Sequence, residues 1–131
     1  MGMALDSEKI PLEELLFFNE KTNMLPAYEK LRSALCRSHT EIETKVSKTQ
    51  ISFKSRYIFA LVSFQRVPRV SGEYLLVSFG LDYEKRSSRI AVATEAARKR
   101  WTHHVIVQSA AEIDGELLQW LEEAYQFAHR K

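Results

Sequence analysis

Two short stretches of the chain carry polar side chains on every second residue, the spacing that places side chains on one face of a β-strand. The first stretch, residues 48–54, puts four such side chains on one face: Lys48, Gln50, Ser52 and Lys54. The second stretch, residues 101–108, puts Thr102 and His104 on one face and Trp101 and His103 on the other. Cations, hydroxyls and an imidazole on one surface can bind a phosphate or a carboxylate. If the two stretches share a face, the sequence predicts an anion site.

The same lysines also have a purely structural interpretation. Lys48 and Lys54 suit a solvated edge strand, where lysines prevent pairing with another sheet. The strand register decides between the two interpretations, because a slip of one residue exchanges the two faces.

The adjacent histidines point in opposite directions on a regular strand, so they cannot bind one metal ion together. His103, which shares its face with Trp101 and Val105, is expected to be buried beneath a helix. His104 is therefore the candidate functional histidine. The single cysteine, Cys36, is expected to be a small core residue, and we expect neither a metal nor a cofactor.

Trp101 directly follows three basic residues, Arg98–Arg100, and could stack against a ligand at the start of its strand. Trp120 and Tyr125 lie on or beside the apolar stripe of the last helical segment, which favours core packing. A nucleic-acid-binding domain using Arg98–Arg100 and Trp101 is one alternative, and it predicts steeply salt-dependent association.

Catalysis has no motif to support it. The chain lacks GxSxG, a glycine-rich phosphate loop and GxGxxG. A hydrolase or transferase that uses His104 as a base with a nearby carboxylate, such as Glu95, stays open as an alternative, and Asp114 is the other carboxylate to test. Whether the chain is an enzyme is left undecided.

Charge is unevenly distributed along the chain. The net charge is only +2, but residues 1–30 carry −3, residues 31–100 carry +8 and residues 101–131 carry −3. A basic central region attracts anionic partners. The alternative interpretation is that the acidic helices offset the charge of the basic sheet they cover. The pI of 8.7 lies below the value typical of nucleic-acid-binding domains, so nucleic acid is a weaker candidate than a small anion or an acidic protein.

Periodicity predicts one α+β domain over residues 1–131. Helical spacing occurs at 11–20, at 26–38 and in a closing helix that starts at Ser109 or at Asp114. Alternation begins at Glu41, and five strand-like segments follow: Gln50–Lys54, Arg56–Arg66, Glu73–Leu81, Arg89–Ala93 and Trp101–Gln108. We expect a mostly antiparallel five-stranded sheet with two N-terminal helices and a C-terminal helix packed on one face.

The same composition bears on location and partners. A lone cysteine favours a reducing cytoplasmic environment, and no apolar run is long enough to span a membrane. The first six residues lack the pattern of an export or acylation signal. A homodimer formed through an uncovered sheet edge is also plausible.

Four sequence blocks together resemble a known bacterial family of small uncharacterised proteins, domain of unknown function 5655. The similarity runs from about residue 26 to 128, and the blocks are KTQISF (48–53) with RYxFAxVSF (56–64), FGL (79–81) with RIAVATE (89–95), RWTHHVIV (100–107) and EIDGELLQWLEEAYQFA (112–128). The resemblance implies a compact α+β domain and no established reaction. Its recurring polar positions would correspond to Lys48, Gln50, Ser52, Arg56, Arg89, Arg100, Thr102, His103, His104 and Asp114. The family more usually has Ser-Pro where this chain has Ser87-Ser88, which leaves the position of Arg89 less rigid.

The leading hypothesis is a non-catalytic module that binds a small anion or an acidic partner on a polar sheet face. The seven residues predicted to bind the ligand are Lys48, Gln50, Ser52, Arg89, Trp101, Thr102 and His104. Lys48 and Arg89 would supply charge, and His104 a pH-sensitive donor. Hydrogen bonds would come from Gln50, Ser52 and Thr102.

Overall fold

The computed structural model describes residues 10–130. The N-terminal residues examined for an export or acylation signal lie outside that range. The helices are α1 (Leu12–Phe17), α2 (Leu25–Ser38) and α3 (Gly115–His129), with 3-10 turns at Thr22–Met24 and Ala110–Glu112. The strands are β1 (Glu43–Val46), β2 (Gln50–Lys54), β3 (Ile58–Ser63), β4 (Leu75–Leu81), β5 (Ile90–Ala97) and β6 (Arg100–Val107).

All six strands form one antiparallel sheet in the order β1-β2-β3-β4-β6-β5. The α+β class and the antiparallel sheet are therefore confirmed. The predicted count of five strands differs from the structure, because the alternating segment after Glu41 forms β1 as a further strand. It pairs with β2 through a two-residue turn at Lys48 and Thr49, in which Ser47 and Gln50 exchange hydrogen bonds.

The helix limits also differ in detail from the sequence prediction. The first helix ends at Phe17 rather than at residue 20, and a 3-10 turn then leads directly into α2. The closing helix starts at Asp114, the second of the two predicted positions. The Asp114 carboxylate caps α3 by accepting a 3.0 Å hydrogen bond from the backbone N–H of Leu117.

The three helices contact the same face of the sheet. Glu14 of α1 bonds to Thr44, Tyr28 of α2 packs against Phe53, and Trp120 of α3 packs against Phe79. The register places those three strand residues on one face, which we call the helix face. The opposite face, called the polar face below, carries Gln50, Ser52, Ser63, Ser78, Thr102 and His104.

The apolar stripe of α1 points outward instead of into the core. Leu12 is 70% exposed and Leu16 is 59% exposed, whereas Glu14 is fully buried. A buried carboxylate requires hydrogen-bonding partners, and those partners come from α2 and β1. The polar anchor of α1 therefore determines which side of the helix faces the protein.

The turn between β5 and β6 contains a strained lysine. Ala97 pairs with Arg100, so the turn is Arg98-Lys99, and Lys99 has a φ of 59°. A side chain in this left-handed region costs about 1 kcal/mol, a cost that glycine avoids.

Lys99→Gly is expected to raise the free energy of unfolding by about 0.5–1 kcal/mol, because glycine relieves the strain. The greater conformational entropy of glycine in the unfolded chain offsets part of this gain. Urea denaturation measures the change. Arg98→Gly is the matched control, since Arg98 has no positive φ, and it is expected to destabilise the protein. Equal effects of both substitutions would contradict the strain argument.

Both edges of the sheet have features that disfavour pairing with another sheet. β1 has only four residues, and the pairing of β5 with β6 is interrupted by two register shifts. None of the helices within residues 10–130 combines the length and the apolar character that a membrane crossing requires.

Candidate functional site

The strand register answers the question that the sequence left open. Ser52, Leu61, Ser78 and His104 are successive partners across four adjacent strands, so both polar stretches do lie on the polar face. Three strand spacings separate Ser52 from His104, which is about 14 Å. Gln50 and Thr102 are about 20 Å apart, because they also differ by four residues along the strands. One small ligand cannot contact both groups.

The structure instead brings part of the predicted set to a cavity of about 710 Å³ at the β1–β2 turn. We call it the Lys48 cavity. Its lining residues are Leu16, Phe17, Lys48, Thr49, Gln50, Ser63, Phe64 and Gln65. Its volume falls within the range of about 300–1,000 Å³ that is typical of small-molecule sites.

Polar and apolar groups meet in the Lys48 cavity. Lys48 is exposed and forms no ion pair within residues 10–130, and no carboxylate from that part of the chain lines the cavity. The side-chain amide of Gln50 donates to the Ser52 hydroxyl at 3.3 Å, which connects Ser52 to the cavity wall. The rings of Phe17 and Phe64 stack with their centroids 5.2 Å apart.

The wall formed by α1 is held in place by Glu14. Its buried carboxylate accepts hydrogen bonds from the Tyr28 hydroxyl, from Arg32 Nε at 2.7 Å and from the Thr44 hydroxyl at 2.5 Å. Burial first, and the neighbouring carboxylate second, raise the pKa of Tyr28, so its hydroxyl stays protonated and able to donate. Glu14 thus connects α1 to α2 and β1.

His104 has a hydroxyl partner rather than an acidic one. Ser78 Oγ and His104 Nδ1 are 2.6 Å apart, and Ser78 is only 3% exposed. Burial lowers the pKa of His104, so the imidazole is neutral near pH 7. Glu95 lies on the helix face opposite Trp101, where its carboxylate accepts from the backbone of Lys99. His104 and Glu95, the pair given as an example for the enzyme hypothesis, therefore lie on opposite faces of the sheet.

Arg89, the second predicted cation, is already paired. Its Nη1 lies 2.8 Å from Asp114 and 3.2 Å from Glu116, and its Nη2 donates to the Glu112 carbonyl at 2.7 Å. The backbone N–H of Leu117, followed by Arg89, lowers the pKa of Asp114. Arg89 therefore links the start of β5 to the start of α3, and two carboxylates already balance its charge.

The two remaining predicted ligand residues lie at the other end of the sheet from Lys48. Thr102 is on the polar face and Trp101 is on the helix face, and both line a cavity of about 210 Å³. His103 is buried beneath the helices, as predicted, with its ring stacked on Phe79. Within residues 10–130, no group of three or more His, Cys, Asp or Glu side chains is placed to hold a metal ion.

Sequence reasoning missed Ser63, Phe17 and Phe64 as lining residues. Phe17 and Phe64 look like ordinary core residues in a linear sequence, because each lies in an apolar run. Pairing of β2 with β3 brings Ser63 opposite Gln50, and contact with α1 brings Phe17 onto Phe64. Only the hydrophobic character of Phe17 near the end of α1 could have suggested a contact with the sheet.

A family model described as Domain of unknown function (DUF5655) matches residues 16–128. The chain belongs to this family. No curated protein and no solved structure matches the chain significantly. The part of the chain that matches the DUF5655 model includes every residue that lines the Lys48 cavity.

Proposed function

We propose that this DUF5655 protein is a binding module for a small organic anion with an apolar body, held in the Lys48 cavity. The proposal rests on three groups that line one cavity: the Lys48 ammonium group, which has no ion-pair partner among residues 10–130, the Gln50 side-chain amide, and the two stacked phenylalanine rings. Lys48 would bind a carboxylate or phosphate of the ligand, and Phe17 and Phe64 would contact its apolar body. The chain would bind this ligand without transforming it.

Two features support an apolar body rather than a bare inorganic anion. The exposed side chain of Leu16 continues the apolar wall beyond Phe17. Lys21 Nζ lies 6.0 Å from the Phe64 ring centroid, which places a second cation near the ring that the apolar body would contact. A ligand that contacts both rings would bury apolar area that phosphate alone cannot bury.

Titration with phenyl phosphate, followed by calorimetry and by amide NMR shifts, tests the proposal. We expect binding with shifts at Phe17, Lys48 and Phe64, and weaker binding of inorganic phosphate. Lys48→Glu is expected to weaken phenyl phosphate binding by at least about tenfold, because it replaces attraction with repulsion at the anion.

Lys54→Glu is the matched control, since it makes the same change of charge at the other end of β2, outside the cavity. Equal losses in the two variants would show general surface attraction and would contradict a site at Lys48. Failure of the wild-type protein to bind either phosphate compound would also count against the proposal.

A further inference from the structure

A second cavity lies at the opposite end of the sheet, between the β5–β6 turn and α3. This Trp101 cavity has a volume of about 210 Å³. Six of its lining residues are Ile58, Gly80, Arg100, Trp101, Ala124 and Phe127. The volume is below the range of about 300–1,000 Å³ for whole drug-sized ligands, so the cavity suits a single ring system.

Trp101 is in an unusual position for a tryptophan. It is half-buried, and within residues 10–130 its side chain makes no hydrogen bond, ring contact or cation–π contact. Trp120, by contrast, is buried and packs near Phe79, Lys85 and Arg89. The indole N–H of Trp101 therefore has no acceptor within residues 10–130 and can donate to a ligand in the cavity that Trp101 lines.

One of three consecutive cations, Arg100, lines the Trp101 cavity, and the other two precede it in the β5–β6 turn. Arg98, Lys99 and Arg100 are exposed, and none forms an ion pair within the described part of the chain. The nearby carboxylate of Glu95 accepts from the backbone of Lys99, not from its ammonium group. Asp82 is occupied by Arg130 at 3.6 Å.

Lysine is an unfavourable residue for the backbone conformation of this turn. Lys99 occupies the left-handed region, where glycine is favoured, and its neighbours repel it electrostatically. Local strain is often found at functional surfaces, and here it coincides with like charges that have no ion-pair partner in the part of the chain that the structure describes. An aromatic ring beside several cations matches a base and its phosphates.

We infer that the Trp101 cavity binds one nucleotide unit, with the base against the Trp101 indole and the phosphate near Arg98–Arg100. A free nucleotide and single-stranded nucleic acid both present such a unit, and the experiment below distinguishes them. The Trp101 cavity is separate from the Lys48 cavity. A negative result for one binding proposal therefore leaves the other proposal unaffected.

The experiment compares fluorescein-labelled octathymidylate, by fluorescence anisotropy, with adenosine monophosphate, by calorimetry. We expect wild-type protein to bind at least one of them. Binding of adenosine monophosphate would identify a free-nucleotide site, and binding of the oligomer alone would identify a single-strand site. Trp101→Ala is expected to lose at least about tenfold in affinity, whereas Trp101→Phe keeps a ring and most of the affinity.

Two further variants remain informative if Trp101→Ala is poorly folded. Ala96→Glu places a negative charge at an exposed lining position and is expected to weaken binding similarly. Arg100→Ala is expected to reduce the salt slope of oligomer binding by about 0.7. Arg69→Ala removes an exposed cation at the other end of the sheet and should leave affinity unchanged.

Three results would overturn the inference. The first is no binding of either probe by the wild-type protein. The second is oligomer binding that Trp101→Ala and Ala96→Glu leave intact. The third is equal competition by an oligoglutamate of the same length, which would identify a site for acidic protein segments instead.

Discussion

Replacing Glu14 with alanine is expected to lower the free energy of unfolding by about 3–5 kcal/mol, the typical cost of breaking a buried ion pair from one side. Glu14 is fully buried, and it accepts from Tyr28, Arg32 and Thr44. Its removal leaves the Arg32 guanidinium, which is only 14% exposed, without its carboxylate. Urea denaturation measures the change.

Glu13→Ala provides the matched control. Glu13 is the preceding residue of the same helix and is exposed, so its substitution is expected to stay within about 0.5 kcal/mol of wild type. Hydrogen exchange should also show faster exchange in α1 for Glu14→Ala than for Glu13→Ala. A Glu14→Ala protein as stable as the Glu13→Ala protein would mean that the Glu14 network contributes little.

The Glu14 result also bears on the proposed function. α1 supplies Leu16 and Phe17 to the Lys48 cavity, and Glu14 holds α1 against α2 and β1. The ring contacts of Phe17 and Phe18 hold the C-terminal end of this six-residue helix, and the Glu14 network is its polar anchor. A protein lacking the Glu14 carboxylate is therefore expected to bind phenyl phosphate more weakly even where the rest of the fold is intact.

The sequence predicted the features that depend on residues close together in the chain. Alternation in residues 48–54 and 101–108 is a local pattern, and it assigned Gln50, Ser52, Thr102 and His104 to the correct faces of their strands. Asp114 was predictable as a helix cap for the same reason, because a cap and its partner lie three residues apart.

The separation of the predicted site into two places was not predictable. It depends on β3 and β4 lying between β2 and β6, and strand order is not encoded by any single strand. The pairing of Arg89 with Asp114 joins residues 25 positions apart, and the contact of Glu14 with Thr44 joins residues 30 positions apart. A count of charges along the sequence treats Arg89, Asp114 and Glu14 as independent charges, although tertiary contacts pair them with other side chains.

His103 is expected to make the protein less stable as the pH falls from 8 to 5. Burial lowers the pKa of His103, and its Nε2 accepts a 2.9 Å hydrogen bond from the backbone N–H of Lys85, so the folded protein holds the neutral ring. The unfolded chain binds a proton below about pH 6.5. The stability is therefore complete above that pH and is lost as the pH falls towards the lowered folded pKa. His104 adds a change of the same sign, because burial lowers its pKa too.

Substitution separates the packing role of His103 from its titration. His103→Ala is expected to cost about 3 kcal/mol at pH 8, because it leaves a cavity beside Phe79 and removes the acceptor of the Lys85 N–H. His103→Gln retains an acceptor, so it should cost less and should reduce the dependence of stability on pH. His104→Gln should remove only the contribution of His104. If the stability of His103→Gln falls with pH as steeply as that of wild type, the acid sensitivity arises elsewhere, and the neutral ring of His103 is not what links folding to proton binding.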